Sequence, residues 1–194
     1  MSGKLQTKTI SKVLVNRSYL IGIAEVILLM GLGVLAVTLH AYLRYPLNLP
    51  GHHGIEFMAL LIAGYKISHF KASSTIFSLG ASMFLLFPLM GIKDVYAPLV
   101  YMMPGIMLYL ITELFNMQKN KFWFIALVGG IAYASIPLTG LLIMIITNYP
   151  YKSLITHEPF YVISSFFAFG LTGTLFTTGI FKSIKQIKFR NIKK

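Results

Sequence analysis

Between Tyr19 and Leu43 the chain runs for 25 residues with only Glu25 and His40 breaking a continuous apolar sequence. That length covers the roughly 20 residues a helix needs to cross a bilayer. It is too long, and lacks the small-residue cleavage site, for a removable signal peptide. Five further apolar stretches follow, at about 55–70, 75–90, 98–115, 122–147 and 160–181, and a basic tail occupies 182–194. Only 11% of residues are charged and the mean hydropathy is +0.74, whereas soluble domains carry about 25% charged residues. The expected fold is therefore an all-α integral membrane protein, a single six-transmembrane-helix bundle with no room for a separate soluble domain.

The formal net charge of +12 does not point to nucleic acid, because the basic residues gather at span ends and at the two termini. Membrane lipids with anionic headgroups are the better partner for such a distribution. Assigned alternately to the two sides of the six spans, fourteen Lys and Arg fall on the side of the termini. Only Arg44, Lys93 and Lys152 fall on the other. Cytoplasmic loops carry the positive excess, so both termini are expected inside (N-in/C-in), in a multi-pass protein of the cell inner (plasma) membrane. The absence of cysteine excludes disulfides and thiolate chemistry without identifying a compartment.

The three external connections under this topology hold the unusual residues. Leu43 to Glu56 packs Pro46, Pro50, Gly51 and Gly54 together with Arg44, Asn48, His52, His53 and Glu56. Irregular backbone at membrane depth persists only where protein or a watery cavity satisfies its amides. This loop is accordingly expected to wall or cover a polar pocket for a small-molecule substrate, although a solvated connector would carry similar residues. Asp94, Tyr96 and Tyr101 at the external end of the fourth span, and His157 in the loop 148–158, complete the candidate binding set. Tyr96 and Tyr101 are the aromatics suited to stacking on a ligand. His52 and His53, being adjacent, share a metal only if the loop bends, and no His-x-x-x-His or Glu-x-x-His spacing supports them, so no metal site is expected. Glu56, in the first turn of the second span, has a competing role in offsetting unpaired helix amides.

Glu25 lies about 9 Å along its helix from Tyr19, and His40 about 22 Å further on. The two cannot pair within that helix, and Glu25 must meet a neighbouring helix, another subunit or water. Ala126, Gly130 and Ala134 form a small-xxx-small ridge on the fifth span. Gly170 and Gly173, with Thr172 and Thr177, thin the sixth, as close helix approach requires. Pro104-Gly105 is expected to kink or split the fourth span. No phosphate loop, nucleotide site, Ser/His/Asp set or haem motif is present, so neither enzymatic activity nor a cofactor is expected, and there is no repeated half with matching broken helices.

With these features in place, the chain resembles the substrate-binding S component of energy-coupling factor transporters, small six-helix membrane proteins that capture vitamins or metal ions. The likeness is carried by Asn48-Leu-Pro-Gly-His-His-Gly-Ile-Glu56, by Pro98-x5-Pro104-Gly105, and by Phe169-Gly-Leu-Thr-Gly173 running on to Lys182. It implies capture of a vitamin-like molecule from outside under the first external loop, with a transmembrane coupling subunit and two cytoplasmic ATPases as partners. Family members commonly dock the coupling subunit through alanines spaced four apart on the first helix, where this chain has Gly33, Val37 and Ala41. The alternative is a non-catalytic accessory subunit of a larger membrane complex.

Overall fold

In a computed structural model the chain is described over residues 2–42, 49–87, 94–115 and 122–192, with side chains from residue 20 onward except Lys152 and those after 187. Among the described residues seven helices form: α1 Ser2–Tyr42, α2 Gly54–Ile67, α3 Ser73–Leu85, α4 Ala97–Leu114, α5 Phe122–Thr147, a one-turn α6 Lys152–Thr156, and α7 Pro159–Ile192. Among the described residues there is no strand. Four of the described segments are long and apolar enough to cross a membrane, Leu20–Tyr42, Ala97–Leu114, Phe122–Thr147 and Pro159–Ile187. The other two expected spans are the short helices α2 and α3, of 14 and 13 residues, each about 20 Å long against a hydrocarbon core of about 30 Å.

The element boundaries follow the apolar pattern closely in the middle of the chain and depart from it at the ends. Helix α5 spans the expected residues, whereas α1 begins at Ser2 and α7 continues to Ile192, so both basic termini extend helices instead of forming tails. The third helix stops at Leu85, and Leu86 and Phe87 already turn. Pro104 lies inside α4 without splitting it. Pro98 sits in its first turn, where the missing N–H costs nothing.

Helix neighbours run α1, α3, α4, α5, α7, α2 and back to α1, and α2 also touches α3 and α5. The second helix is thus enclosed, and Phe57, Met58, Leu61, Ile62 and Tyr65 are almost fully buried. Enclosure also explains how a short helix is accommodated, since protein rather than lipid surrounds it. Side chains such as Ile23, Ile27, Leu28, Leu142, Ile145, Ile146 and Phe176 face outward instead, as lipid-facing positions do.

Small residues decide how closely the helices pack. The α5 ridge is internal: a Cβ on Gly130 would lie 2.8 Å from Phe167 Cε2 and 3.1 Å from the Phe167 carbonyl on α7. A methyl on Gly129 would collide with Thr174. On α7, a Cβ on Gly170 would stand 2.5 Å from Tyr133 Cβ, and one on Gly173 2.5 Å from the Ile55 carbonyl of α2. Thr177 donates to the Ala59 carbonyl at 3.1 Å, while Thr172 faces outward and bonds its own helix at Ala168. Helix α3 uses serines in the same way, Ser74 donating to the Gly105 carbonyl at 2.9 Å and Ser82 to the Pro98 carbonyl at 2.7 Å. On α1, Gly33 meets the backbone of Phe77 and Ala81, and Val37 is fully buried. The stretch that would correspond to the coupling-subunit surface in the resemblance is therefore turned largely inward.

Glu25 finds its partner within the chain. Its Oε1 accepts the His69 amide at 2.5 Å and its Oε2 lies 3.6 Å from His69 Nδ1, so it caps the α2–α3 turn. Nearby, Lys71 and Glu113 form an exposed pair at 3.4 Å, of the kind that contributes little to stability.

The α5–α7 contact yields a direct test. Gly130→Leu should destabilise the detergent-solubilised protein by about 1–3 kcal/mol, the usual range for overpacking. Leu127→Ile, on the outward face, should leave thermal stability within error of the parent, as followed by loss of the monodisperse peak after heating.

Candidate functional site

Proline and glycine place the 49–54 turn where it lies. Pro50 opens the turn and Gly51 takes a left-handed φ of 79°, a conformation that L side chains resist. The Gly54 amide closes back on the Gly51 carbonyl at 2.8 Å. The Pro50 carbonyl accepts the Ser165 hydroxyl of α7 at 2.6 Å, which gives the irregular backbone a partner. Both glycines also sit against rings. A Cβ on Gly51 would come within 2.5 Å of Phe166 Cδ2, and one on Gly54 would overlap Tyr133. Tyr133 and Phe166 are stacked, with centroids 5.1 Å apart and planes at 20°. The turn is thus pressed onto an aromatic pair contributed by α5 and α7.

This turn brings a polar cluster together at one end of the bundle. His52 Nδ1 lies 2.7 Å from the Leu49 carbonyl. A carbonyl only accepts, so Nδ1 carries the hydrogen, and in the neutral ring Nε2 is left as an acceptor. The adjacent rings tilt toward each other: His53 lies 3.9 Å from His52 and 4.2 Å from His40, centroid to centroid. His40 Nε2 is 3.4 Å from the Tyr101 hydroxyl, and His53 Nδ1 is 3.6 Å from Glu56 Oε1. Both distances exceed the usual 2.7–3.2 Å of a well-made N–H···O bond, so these are close polar contacts rather than tight hydrogen bonds. Phe57 packs behind, 5.7 Å from the Tyr101 ring and 6.0 Å from Tyr133.

Glu56 departs from its competing role. Neither carboxylate oxygen has a hydrogen-bond partner among the described residues, and both are buried, as is His52 Nε2. The carboxylate faces His53 rather than the first-turn amides. Burial, and then the neighbouring His52, hold His53 below the ordinary histidine range, with Glu56 opposing them.

A second group, of tyrosines, occupies the same end. Asp94 Oδ1 accepts the Tyr96 amide at 2.9 Å and so organises the start of α4. Tyr96 lies 5.2 Å from Tyr149, which lies 5.3 Å from Tyr151. Burial, followed by the Asp94 charge, pushes the Tyr151 phenol well up, which keeps it neutral.

Of the residues singled out from the sequence, His52, His53, Glu56 and Tyr101 come together. Asp94 and Tyr96 join the tyrosine group. His157 does neither and packs on Tyr161 at 5.7 Å. Arg44 and Asn48 lie outside the described residues. Sequence spacing does not bring His40 into the candidate set, nor does it single out Phe57, Tyr133, Phe166, Tyr149 or Tyr151. Tyr133 does carry a usable signal, because a hydroxyl in the middle of an apolar span, beside Gly130 and Ala134, is not an interfacial anchor. Among the described residues, no three His, Asp or Glu side chains converge to hold a metal ion.

Comparison with protein-family models, with curated proteins and with solved structures returns no match.

The depressed His53 has a measurable consequence. The unfolded chain binds a proton near the ordinary histidine value of 6.5, and the folded chain does so only at lower pH. Stability is therefore greatest above about pH 6.5 and falls as the pH drops toward the folded value. Thermal denaturation from pH 7.5 down to 5 should show this decline, and His53→Gln should shrink it.

Proposed function

We propose that this chain captures a small molecule at the His52–Glu56 turn and serves as the substrate-binding component of an importer. The carrying observation is that buried acceptors without hydrogen-bond partners, on Glu56 and His52, lie on a turn seated against the stacked Tyr133 and Phe166. Ligand sites combine an apolar, aromatic surround with a few placed polar groups, and buried acceptors left unmatched are costly unless something fills them. Proline, the left-handed glycine and the tie to Ser165 fix the backbone in advance, which lowers the ordering cost of binding.

Orientation and energy source complete the proposal. Every helix except the one-turn α6 crosses the cell membrane, with α2 enclosed by its neighbours and α3 packed on α1 and α4, and the fourteen-to-three charge asymmetry favours both termini inside. The cluster then faces outward. The resemblance to energy-coupling factor S components supplies the rest, a separate coupling subunit with cytoplasmic ATPases, since no nucleotide site is present in this chain. Glu25, capping the turn at the opposite end, belongs to the scaffold in this scheme.

Two measurements test the proposal. Cysteines placed at Ser2 and at Ser153 should react with an impermeant reagent from opposite faces, Ser153 alone labelling in intact cells; equal labelling would overturn the orientation. Depriving a buried polar group of its partner costs about 1–3 kcal/mol, or about one to two decades of affinity. The His52/His53 double alanine variant should therefore fold, reach the membrane and bind ligand at least tenfold more weakly. Unchanged binding and uptake in that variant would reduce the turn to a connector. A non-catalytic accessory subunit would show no ligand at all and would co-purify with an enzyme complex.

A further inference from the structure

Resting on the capture proposal, we infer that the ligand is a small organic cation bearing N–H donors, an amine, amidine or guanidine, held by Glu56 and His52. The ground is an imbalance between donors and acceptors. Glu56 Oε1, Glu56 Oε2 and His52 Nε2 are buried without hydrogen-bond partners among the described residues. In the neutral form of His52 the hydrogen is committed at Nδ1 to the Leu49 carbonyl, and a carboxylate in its ionised form only accepts. Three acceptors around one turn, with the single N–H of a neutral His53 ring as the donor beside them, call for a molecule that brings further donors. An anion or a plain carbonyl compound would set acceptors against acceptors.

Charge and ring chemistry agree with this. His53, 3.6 Å from Glu56, is held toward its neutral form by burial and by His52, so it does not balance the carboxylate at neutral pH. The rings of His40, His53, Tyr101 and Phe57 lie in one contiguous run behind the turn, and aromatic faces attract cations. A bare metal ion is the poorer occupant, because no three of the described His, Asp or Glu side chains converge on one point. Charge-assisted hydrogen bonds are about twice as strong as neutral ones, so a cation gains more at this carboxylate than a neutral donor does.

The test uses four probes on the full-length, detergent-solubilised protein: benzamidine, its neutral isostere benzamide, its anionic isostere benzoate, and zinc chloride. Benzamidine should raise the thermal midpoint with saturation, benzamide should bind at least tenfold more weakly, and benzoate and zinc should give no shift. Glu56→Gln should weaken benzamidine at least tenfold, while Glu56→Asp, which keeps the charge, should retain most of the binding; elution at the parent's volume confirms that each variant is folded. Benzoate or benzamide binding as well as benzamidine, with the effect removed by His52→Ala, overturns the cation and leaves capture at this turn standing. A shift with zinc alone overturns it in favour of a metal. Benzamidine binding only after Arg44→Gln overturns it because the chain then supplies its own cation to Glu56. No shift with any probe overturns it as well, and the double-histidine variant in uptake then decides the capture proposal separately.

Discussion

Everything at the polar end of this bundle depends on a backbone constraint. A segment that is not helical cannot lie among apolar helices unless its amides and carbonyls find partners. Here the Gly54 amide finds the Gly51 carbonyl, the Pro50 carbonyl finds the Ser165 hydroxyl, and the Leu49 carbonyl finds the His52 ring. Two of these close the turn on itself and the Ser165 bond ties it to α7, and the absence of side chains at Gly51 and Gly54 lets it rest on Phe166 and Tyr133. His53 and Glu56 then have no freedom to reach bulk water by a loop swinging outward. Their position among His40, Tyr101 and Phe57 is a consequence of where the backbone was satisfied.

The same rule separates scaffold polarity from site polarity. Threonines along the helices return their hydroxyls to the carbonyl one turn back, as Thr38, Thr139, Thr174 and Thr178 do, and such groups are matched by their own helix. Ser74, Ser82 and Thr177 spend theirs on a neighbouring helix. Glu25, the acid most deeply embedded by sequence position, is matched by the His69 amide. By contrast, the Ser73, Ser78 and Tyr151 hydroxyls are buried without a hydrogen bond among the described residues, but at Glu56 it is a carboxylate, with both oxygens in that position. Buried polar groups in native proteins are nearly always paired, so an unmatched carboxylate on a turn tied to α7 is the feature on which the proposed capture site rests.

Hydrophobic run length locates the helices, because apolar continuity and the Lys/Arg breaks are properties of sequence alone; α5 and the entry to α2 agree within a residue. Run length does not show how the short α2 and α3 are accommodated, since the enclosure of α2 by α1, α3, α5 and α7, and the packing of α3 on α1 and α4, are tertiary facts. Nor does it show helix at the two basic ends, where a lysine-rich segment simply continues the helix next to it. The candidate site is half legible. Pro50, Gly51 and Gly54 beside two histidines signal a constrained polar turn, but a turn has a partner surface, and the partners come from residues 40, 101, 133 and 166. Nothing in local spacing brings His40 to His53, because their approach depends on how α1 crosses α2. The glycines hint at close packing without saying against which ring.

The two polar groups at this end differ in a way that bears on what each can do. Asp94 is already employed, bonding the Tyr96 amide and lying beside Tyr151, whose phenol is pushed up by burial and by the Asp94 charge. Its neighbourhood is rich in hydroxyl donors. The Glu56 cluster is rich in acceptors, and its nearest titratable neighbour is held toward neutrality. A ligand carrying donors gains most by entering at Glu56, and any hydroxyl or carbonyl elsewhere on it would meet the donors of Tyr96, Tyr149 and Tyr151. On the proposed reading, that opposed hydrogen-bonding character would set the direction of a bound ligand, with its cationic part toward α2 and its acceptor part toward the tyrosines of α4 and the loop after α5. Orientation of that kind comes from mismatched donors and acceptors rather than from net charge. It would survive changes in salt that weaken long-range attraction.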